Sequence, residues 1–545
     1  MGASVDSTMQ DFPLTITGIL RHGTGWHASR KVITATGDGY REATYGAIGE
    51  RVAQLAHGLR SLGITGDERV ATFMWNNQEH LEAYLAVPCM GAVLHTLNIR
   101  LPAAQLAYIA EQAEDRVVLV DVSVAPALAA VLPQMPSVHT VVAVGDGDLD
   151  GLTASGKTVI RYDDLLTDQP TVFDWPDVAE KSAAAMCYTS GTTGNPKGIV
   201  YSHRSTYLHS MAVCHSLGIT DGDTILPVVT MFHANAWGNP YAALMAGANL
   251  LMPDRFLQAE PLVNMIEEHR PTIGAAVPTI WNDVLRYLDA HPGRDISSLR
   301  QVVCGGSAVP LSMMKAFDER YNIPIIQGWG MTETSPLAAL ALPPAGVSDE
   351  EHWDLRNTAG RLIPGVEARI VDDDGSELPS DGKAVGEVEV RGPWVTASYY
   401  QNVDEDKFHD GWLRTGDVGR IDQYGCITLT DRAKDVIKSG GEWISSVDLE
   451  NAIMAHPDVF EAAVVAVPDD RWQERPLAAV VADQGADVTA EELRKFLCDK
   501  VARWWLPERW TFIDEVPKTS VGKFDKKVIR ARYADNEYDV VECRD

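Results

Sequence analysis

Cysteine, basic side chains and long apolar runs are all scarce in this sequence of 545 residues. The seven cysteines are scattered without a Cys-x-x-Cys pair, which argues against a structural zinc site and predicts a reduced, cytoplasmic compartment. No apolar run reaches the roughly 18 residues that a membrane-spanning helix needs. Acidic residues outnumber basic ones by 76 to 46, and the net charge of −30 argues against nucleic acid and an anionic membrane surface as partners. A local basic loop that binds phosphate remains compatible with this charge.

The length of 545 residues predicts at least two domains, and the pattern of apolar residues predicts an α/β fold. Strand-like runs at 69–75, 117–121 and 140–144 alternate with helical patterns, which is typical of parallel sheets flanked by helices. Short alternating strands between about 373 and 431 predict a small β subdomain. We therefore expect a large N-terminal domain (1–431) of two helix-flanked β-sheet subdomains plus a β subdomain, followed by a small α+β C-terminal domain (432–545).

The stretch 188–198, Tyr-Thr-Ser-Gly-Thr-Thr-Gly-Asn-Pro-Lys-Gly, has the composition of an anion-binding loop. Its glycines allow close approach of the backbone, and its N–H groups, hydroxyls and Lys197 can bind phosphate oxygens. It lies between a predicted strand at 183–187 and a predicted strand and helix at 199–217, where α/β proteins bind ligands. An ordinary surface turn is the alternative, and a Walker A loop is excluded because Gly198 follows Lys197.

Four more motifs follow in order, each weak alone: Gln-Gly-Trp-Gly-Met-Thr-Glu (327–333), Gly-Trp-Leu-Arg-Thr-Gly-Asp (411–417), a Lys/Gly-rich stretch (431–443) and Pro-Lys-Thr-Ser-Val-Gly-Lys (517–523). With the phosphate loop, they resemble the signature of the adenylate-forming superfamily of acyl-CoA synthetases, luciferases and peptide-synthetase adenylation domains. The resemblance to medium- and long-chain fatty acyl-CoA ligases covers roughly residues 40–535. It implies that the small domain is mobile and rotates between two half-reactions.

The resemblance also implies a nucleotide site. Trp329 would stack on adenine beside Gln327 and Gly328, and Asp417 would hold the ribose hydroxyls. Mg²⁺ would bind Glu333 and Thr189, since a carboxylate oxygen suits this ion. The remaining nucleotide contacts would come from Ser190, Gly191, Thr192, Thr193, Gly194, Lys197, Gly305, Gly306, Ser307, Gly330, Thr332 and Arg432.

Several implied roles fall on the C-terminal domain. Lys434 would be the hinge and would also contact the nucleotide, and Lys523 would enter the site as the catalytic cation during adenylation. Gly440 and Gly441 would leave room for the pantetheine arm of CoA, with Lys438 and Trp443 near the nucleotide or the CoA path. On spacing alone, Lys523 is a surface lysine and 431–443 is a solvated basic loop.

The segment 230–238, Thr-Met-Phe-His-Ala-Asn-Ala-Trp-Gly, bears on the acid substrate. Amino-acid-activating relatives carry an Asp where this chain has His233, so an amino-acid substrate is disfavoured. By resemblance, His233 would close over the adenylate or help to admit the thiol, and Trp237 would gate an acyl tunnel and exclude water. Both residues could instead be ordinary core residues.

These features predict an AMP-forming acyl-CoA ligase that uses ATP, Mg²⁺ and coenzyme A on a medium- or long-chain fatty acid. The alternatives are a ligase for an aryl or small functionalised acid and an enzyme that loads a carrier protein. A nucleotide-binding protein without activity ranks last because Lys523 and Glu333 are both present. A homodimer is expected from the resemblance.

Overall fold

The structure of the protein is a computed structural model that describes residues 7–189, 195–372, 374–432, 435, 437–439, 442–469, 471–519 and 524–543. Its α-helices, in chain order from α1 to α16, are Ile16–Trp26, Tyr45–Ser61, Gln78–Cys89, Ala103–Ala113, Ala125–Val131, Asp150–Thr153, Tyr162–Leu166, His203–Leu217, Asn239–Ala246, Ala259–His269, Pro278–Ala290, Leu311–Tyr321, Asp349–Arg356, Ser446–Met454, Ala490–Leu497 and Lys526–Ala534.

The β-strands, in chain order from β1 to β28, are Lys31–Ala35, Tyr40–Thr44, Arg69–Phe73, Val93–Thr96, Asp115–Asp121, Thr140–Val144, Thr158–Arg161, Ala183–Tyr188, Gly198–Ser202, Thr224–Pro227, Asn249–Met252, Ile273–Ala276, Gln301–Gly305, Ile325–Gly330, Leu337–Leu340, Gly360–Leu362, Glu367–Val371, Glu377–Leu378, Gly386–Arg391, Phe408–His409, Trp412–Ile421, Cys426–Arg432, Ile437–Ser439, Glu442–Ile444, Val459–Asp469, Gln473–Ala482, Arg509–Phe512 and Val541–Glu542.

Local sequence explains where the helices begin. The side chain of Thr44 accepts a hydrogen bond from the backbone N–H of Ala47 and caps α2, as its position predicted. Ser202 and Ser205 form a reciprocal capping box at the start of α8. The helix therefore starts directly after β9, and the predicted strand and helix at 199–217 are both present.

Two large sheets form the N-terminal part, with strand orders β7-β6-β5-β3-β4-β8-β9 and β18-β17-β19-β21-β22-β16-β15-β14-β13-β12-β10-β11-β1-β2. In the first sheet, β9 at the edge is antiparallel to β8, and the other neighbours are parallel. In the second, β11, β10, β12, β13 and β14 form a parallel block. The strands of the predicted β subdomain extend this second sheet, because β16 pairs with both β15 and β22.

The C-terminal part has its own sheet, with order β24-β23-β26-β27-β28 and β25 beside β26. Two apolar clusters drawn from residues 437–543 pack on it. The predicted α/β fold with a large N-terminal and a small C-terminal domain is confirmed, and the boundary near 431 stays a prediction. Over the described ranges, no helix has both the length and the apolar character needed to cross a bilayer.

Candidate active site

A cavity of about 160 Å³ lies where the carboxyl ends of strands from the two large sheets meet. In parallel sheets this edge is where ligands bind. The cavity brings together nine of the residues predicted to form the site. They are Thr189, His233, Trp237, Gly305, Gly306, Gly328, Trp329, Gly330 and Thr332.

Trp329, predicted to stack on adenine, and Asp417, predicted to bind the ribose, are joined by a hydrogen bond. The indole N–H of Trp329 donates to Oδ2 of Asp417 at 3.0 Å, and both side chains are buried. This bond lies across 88 positions of sequence, and no motif predicted it. The donor is the indole N–H, a group that tyrosine and phenylalanine lack.

Gln327 lies just before Trp329 and supports the backbone around it. Its Oε1 accepts from the N–H of Val309 at 2.6 Å, and its Nε2 donates to the carbonyl oxygen of Thr358 at 2.5 Å. The side chain is buried and does not line the cavity. Its predicted contact with adenine therefore stays a prediction. Ser307 is exposed beside the cavity, two residues after Gly305.

The predicted metal ligand Glu333 lies in the short helical turn Thr332–Thr334 and is buried. The hydroxyl of Tyr399 donates to its Oε1 at 2.7 Å, and its backbone carbonyl accepts from the N–H of Thr396 at 2.8 Å. The hydroxyl of Tyr201 donates to the carbonyl oxygen of Thr332 at 2.7 Å. Two buried tyrosines thus fix this turn, and neither was among the predicted site residues.

The phosphate loop has a well-defined neck. The N–H of Thr189 donates to the carbonyl oxygen of Lys197 at 2.9 Å, and the N–H of Lys197 donates back to Oγ1 of Thr189 at 3.1 Å. The ammonium of Lys197 pairs with the carboxylate of Asp404 and lies 5.0 Å from the centre of the Tyr399 ring. Burial lowers the pKa of Lys197, and repulsion from Lys407 adds to this effect. Five predicted loop residues lie outside the described residues: Ser190, Gly191, Thr192, Thr193 and Gly194.

For the predicted site residues from Arg432 onward, the structure describes only the backbone or does not describe the residue. Arg432 pairs with Asp417 in the β21–β22 register, so the two backbones are neighbours at the site. Lys438 and Trp443 are paired in the backbone register of the β23–β24 hairpin. Lys434, Gly440, Gly441 and Lys523 lie outside the described residues.

The segment that carries His233 and Trp237 has an uncommon backbone. Ala234, Asn235, Ala236, Trp237 and Gly238 all have positive φ, with values of 36°, 52°, 49°, 56° and 75°. A Cβ at Gly238 would lie 2.8 Å from Nδ1 of His209, so glycine is required there for space as well as conformation. Burial lowers the pKa of His209 to about 3, and its Nε2 accepts from the N–H of Leu337 at 3.2 Å. A neutral imidazole therefore supports the end of this turn.

Trp237 lies near Gly305 in the lining of the cavity. A Cβ on Gly305 would lie 3.5 Å from Cη2 of Trp237 and 2.9 Å from the carbonyl oxygen of Gly328. A side chain at Gly305 would therefore clash with the backbone of β14, whereas its Cβ would make ordinary van der Waals contact with the indole.

Comparisons with known proteins agree with this geometry. The family model described as "AMP-binding enzyme" matches residues 24–400, and "AMP-binding enzyme C-terminal domain" matches 448–523. The chain is 42% identical over 533 residues to a 3-methylmercaptopropionyl-CoA ligase of Ruegeria lacuscaerulensis, covering 97% of this chain and 98% of the relative. It is 42% identical over 538 residues to a long-chain-fatty-acid–CoA ligase of Thermus thermophilus, covering 97% of each.

A solved structure is similar over nearly the whole chain. The anthranilate CoA ligase AuaEII, in complex with anthranoyl-AMP, superimposes with a TM-score of 0.87 at 26% identity. The match covers 97% of this chain and 99% of the other. The similarity extends through both domains.

Proposed function

We propose that the chain, which belongs to the AMP-binding enzymes and is an ATP-dependent CoA ligase acting through an acyl-adenylate, activates a medium- or long-chain fatty acid. In the first half-reaction the carboxylate of the acid attacks the α-phosphate of ATP, and pyrophosphate leaves. In the second, the CoA thiol attacks the acyl carbonyl, and AMP leaves. Both nucleophiles belong to substrates, so none of the seven cysteines is assigned a role in the chemistry.

The observation that carries the choice of acid is the lining of the cavity. Apolar side chains make up most of the lining, together with uncharged polar groups such as Asn98 and Asn239, and none of the described residues that line it is Asp, Glu, Lys or Arg. A charged group on the substrate tail would lose its hydration without gaining a partner there, which is costly. An uncharged hydrocarbon tail fits this lining. The apolar side chains include Val213, Leu217, Val229, Val303 and Leu337.

We assign the nucleotide to the opposite side of the cavity. Adenine would stack on Trp329, and the ribose hydroxyls would bind Asp417, whose carboxylate the indole N–H already orients. The phosphates would meet the loop at 189–194, Lys197 and the hydroxyl of Thr332. Lys523 would supply a cation as charge develops on the α-phosphate, and rotation about Lys434 would then admit CoA. The remaining assignments follow the family pattern: Gly305, Gly306, Ser307, Gln327, Gly328, Gly330, Arg432, Lys438, Gly440, Gly441 and Trp443.

The residues present fit a Mg²⁺ ion. Glu333 offers a buried carboxylate, oriented by the hydroxyl of Tyr399 at one oxygen. Among the residues described, no three metal-binding side chains of His, Cys, Asp or Glu gather together, which suits an ion held by one carboxylate and substrate phosphates. We assign Glu333 and Thr189 as its protein ligands. When bound, the ion would neutralise charge on the phosphate oxygens.

Trp237 and His233 would control access to the reacting carboxyl group. The indole lies against Gly305 between the two sides of the cavity, where it would keep water from the acyl-adenylate. His233 lies four residues earlier and lines the same cavity, where it would close over the adenylate or admit the thiol.

The deciding experiment is AMP release from ATP and Mg²⁺ with a panel of acids, with and without CoA. CoA-dependent release that peaks on medium or long chains supports the proposal. A peak on a short thioether acid is the second candidate, because the 3-methylmercaptopropionyl-CoA ligase is as similar as the long-chain enzyme. A peak on aryl or amino acids contradicts the proposal, and pyrophosphate exchange without CoA-dependent turnover indicates a carrier-loading enzyme.

A pocket variant sharpens the test. Leu337→Trp would fill part of the apolar lining, so the preferred acid should become shorter while the KM for ATP stays unchanged. Leu342→Trp is the matched control, because Leu342 packs on the same core without lining the cavity. An equal effect of both variants on chain-length preference would show that the cavity does not hold the acyl tail.

A further inference from the structure

The turn 234–238 is held in a conformation that its residues disfavour. Four successive residues with side chains, Ala234 to Trp237, have left-handed φ values before Gly238. Residues other than glycine enter this region singly, and asparagine does so more readily than alanine or tryptophan. A run of this length persists only where surrounding contacts over-determine it. The contacts that do so are buried and specific.

Asn235 provides the main attachment of this turn. Its side chain is buried, and its Oδ1 accepts from the thiol of Cys187 at 3.2 Å and from the hydroxyl of Tyr84 at 3.4 Å. Burial raises the pKa of Cys187 to about 11, so the thiol keeps the proton that it donates. Within the turn, Nδ2 of Asn239 donates to the carbonyl oxygen of Ala236 at 2.7 Å.

Tyr84 connects Asn235 to Met231, in the segment between strand β10 and the turn. Its hydroxyl, fully buried on α3, has a single proton, which it shares between Oδ1 of Asn235 and the nearer carbonyl oxygen of Met231. Asn76 holds the same segment from the other side, because its Oδ1 accepts from the N–H of Met231 at 2.7 Å and its Nδ2 donates to the carbonyl oxygen of Val229 at 2.8 Å. The first sheet and its helix α3 therefore position a turn that carries an aromatic group of the cavity.

We propose that Tyr84 and Asn235 are positioning residues that hold the strained turn so that the indole of Trp237 closes the cavity against Gly305. The inference rests on the proposed function of Trp237 as a gate. Without the hydrogen bonds of Tyr84 and Asn235, the turn relaxes toward right-handed conformations and the indole moves away from Gly305. Water then reaches the acyl-adenylate, and the acid loses a wall of its pocket.

Tyr84→Phe tests this proposal because it removes one hydroxyl and keeps the ring. Tyr45→Phe is the matched control, since Tyr45 is equally buried and its hydroxyl donates to a backbone carbonyl, that of Ala248, away from the turn. Two readouts are compared: CoA-independent AMP release, which reports hydrolysis of the adenylate, and hydrogen exchange of peptides covering the turn. We expect Tyr84→Phe to raise both about tenfold, with a higher KM for the acid and an unchanged KM for ATP, and Tyr45→Phe to stay near wild type.

A rescue variant separates strain from general damage. Glycine adopts positive φ without a steric penalty, so Ala236→Gly lowers the backbone strain of the turn. The turn then depends less on the hydrogen bonds of Tyr84 and Asn235. Ala236→Gly added to Tyr84→Phe should return CoA-independent AMP release and exchange toward wild type. Equal behaviour of Tyr84→Phe and Tyr45→Phe, or no rescue, overturns the positioning role. Absence of any acid-dependent AMP release by the wild type would overturn the proposed function instead. The difference in hydrogen exchange between Tyr84→Phe and Tyr45→Phe would then still decide whether Tyr84 positions the turn.

Discussion

Arg286 offers a direct test of how the two domains are held together. It lies on α11 of the N-terminal part, where its Nη2 pairs with Oδ1 of Asp483 at 2.9 Å and its guanidinium lies 3.9 Å from the centre of the Phe460 ring. Both partners belong to the C-terminal part. Arg286→Ala removes the two contacts together and leaves a helix-compatible residue.

The structure sets the size of the expected effect. The side chains of Arg286 and Asp483 are 41% and 34% exposed, so solvent screens the ion pair and about 0.5 kcal/mol is a reasonable value. The cation–π contact adds about 0.5–1 kcal/mol at such a site. Losing about 1–1.5 kcal/mol lowers the population of this domain orientation roughly five- to tenfold relative to others.

We propose that the orientation seen here is the one used for adenylation. Lys518 and Phe524 flank the segment that contains Lys523, and they form a β-bridge with each other. The ammonium of Lys518 pairs with Oε1 of Glu461 at 2.8 Å, within the C-terminal part that Arg286 of α11 contacts.

We therefore expect Arg286→Ala to slow acid-dependent ATP–pyrophosphate exchange about fivefold or more and to spare thioester formation from supplied acyl-adenylate. Arg294→Ala is the matched control. Arg294 pairs with Glu267 and lies 5.6 Å from the centre of the Tyr287 ring, but all three residues belong to the N-terminal part. The reasoning is refuted if both half-reactions slow by the same factor in Arg286→Ala, or if Arg294→Ala reproduces the split.

Three further predictions concern single side chains. Glu333→Gln keeps a partner for Tyr399 but removes the charge, and should lower adenylate formation about 10²–10³-fold; an unchanged Mg²⁺ dependence of pyrophosphate exchange would count against the metal assignment. Trp329→Phe removes the donor to Asp417, and should raise the KM for ATP about tenfold in steady-state assays; an unchanged KM would separate this hydrogen bond from nucleotide binding. Burial lowers the pKa of His80 to about 4, so the unfolded chain takes up this proton at a higher pH than the folded chain does. The free energy of unfolding therefore decreases as the pH falls from 6.5 toward 4, by about 2 kcal/mol at pH 5. The thermal midpoint of His80→Gln should therefore fall less between pH 7.5 and pH 5 than that of the wild type, and parallel falls would contradict this.

The fold was predictable where local pattern and tertiary structure agree. Runs of buried β-branched residues, such as 117–121 and 140–144, lie within or coincide with strands β5 and β6 because both faces of a parallel strand are covered. The helix after Ser202 follows from its cap. The joining of the β subdomain to the second sheet was not predictable, because the pairing of β15 with β16 is a tertiary contact that the pattern of neither strand encodes.

The site was predictable in its parts and not in its connections. Motifs marked Trp329, Glu333 and Asp417 because residue type and order suffice for that. Nothing in the sequence indicates that Trp329 bonds to Asp417 or that Tyr399 orients Glu333, since these pairs come together only through strand order. The left-handed turn was also invisible, because one glycine in five residues gives no signal for five positive φ values.

The placement of charge in the site bears on the role that we propose for the turn 234–238. The carboxylates of Glu333 and Asp417 and the ammonium of Lys197 all lie off the cavity lining, each held by a partner: Tyr399, Trp329 and Asp404. The described cavity lining itself has no charged group with which to order water. If Trp237 gates the site as we propose, exclusion of water from the adenylate depends on packing, and this packing depends on where the strained turn holds Trp237. A loosely held indole would leave ATP binding intact and waste the adenylate, which is the combination of effects that the Tyr84→Phe variant is designed to reveal.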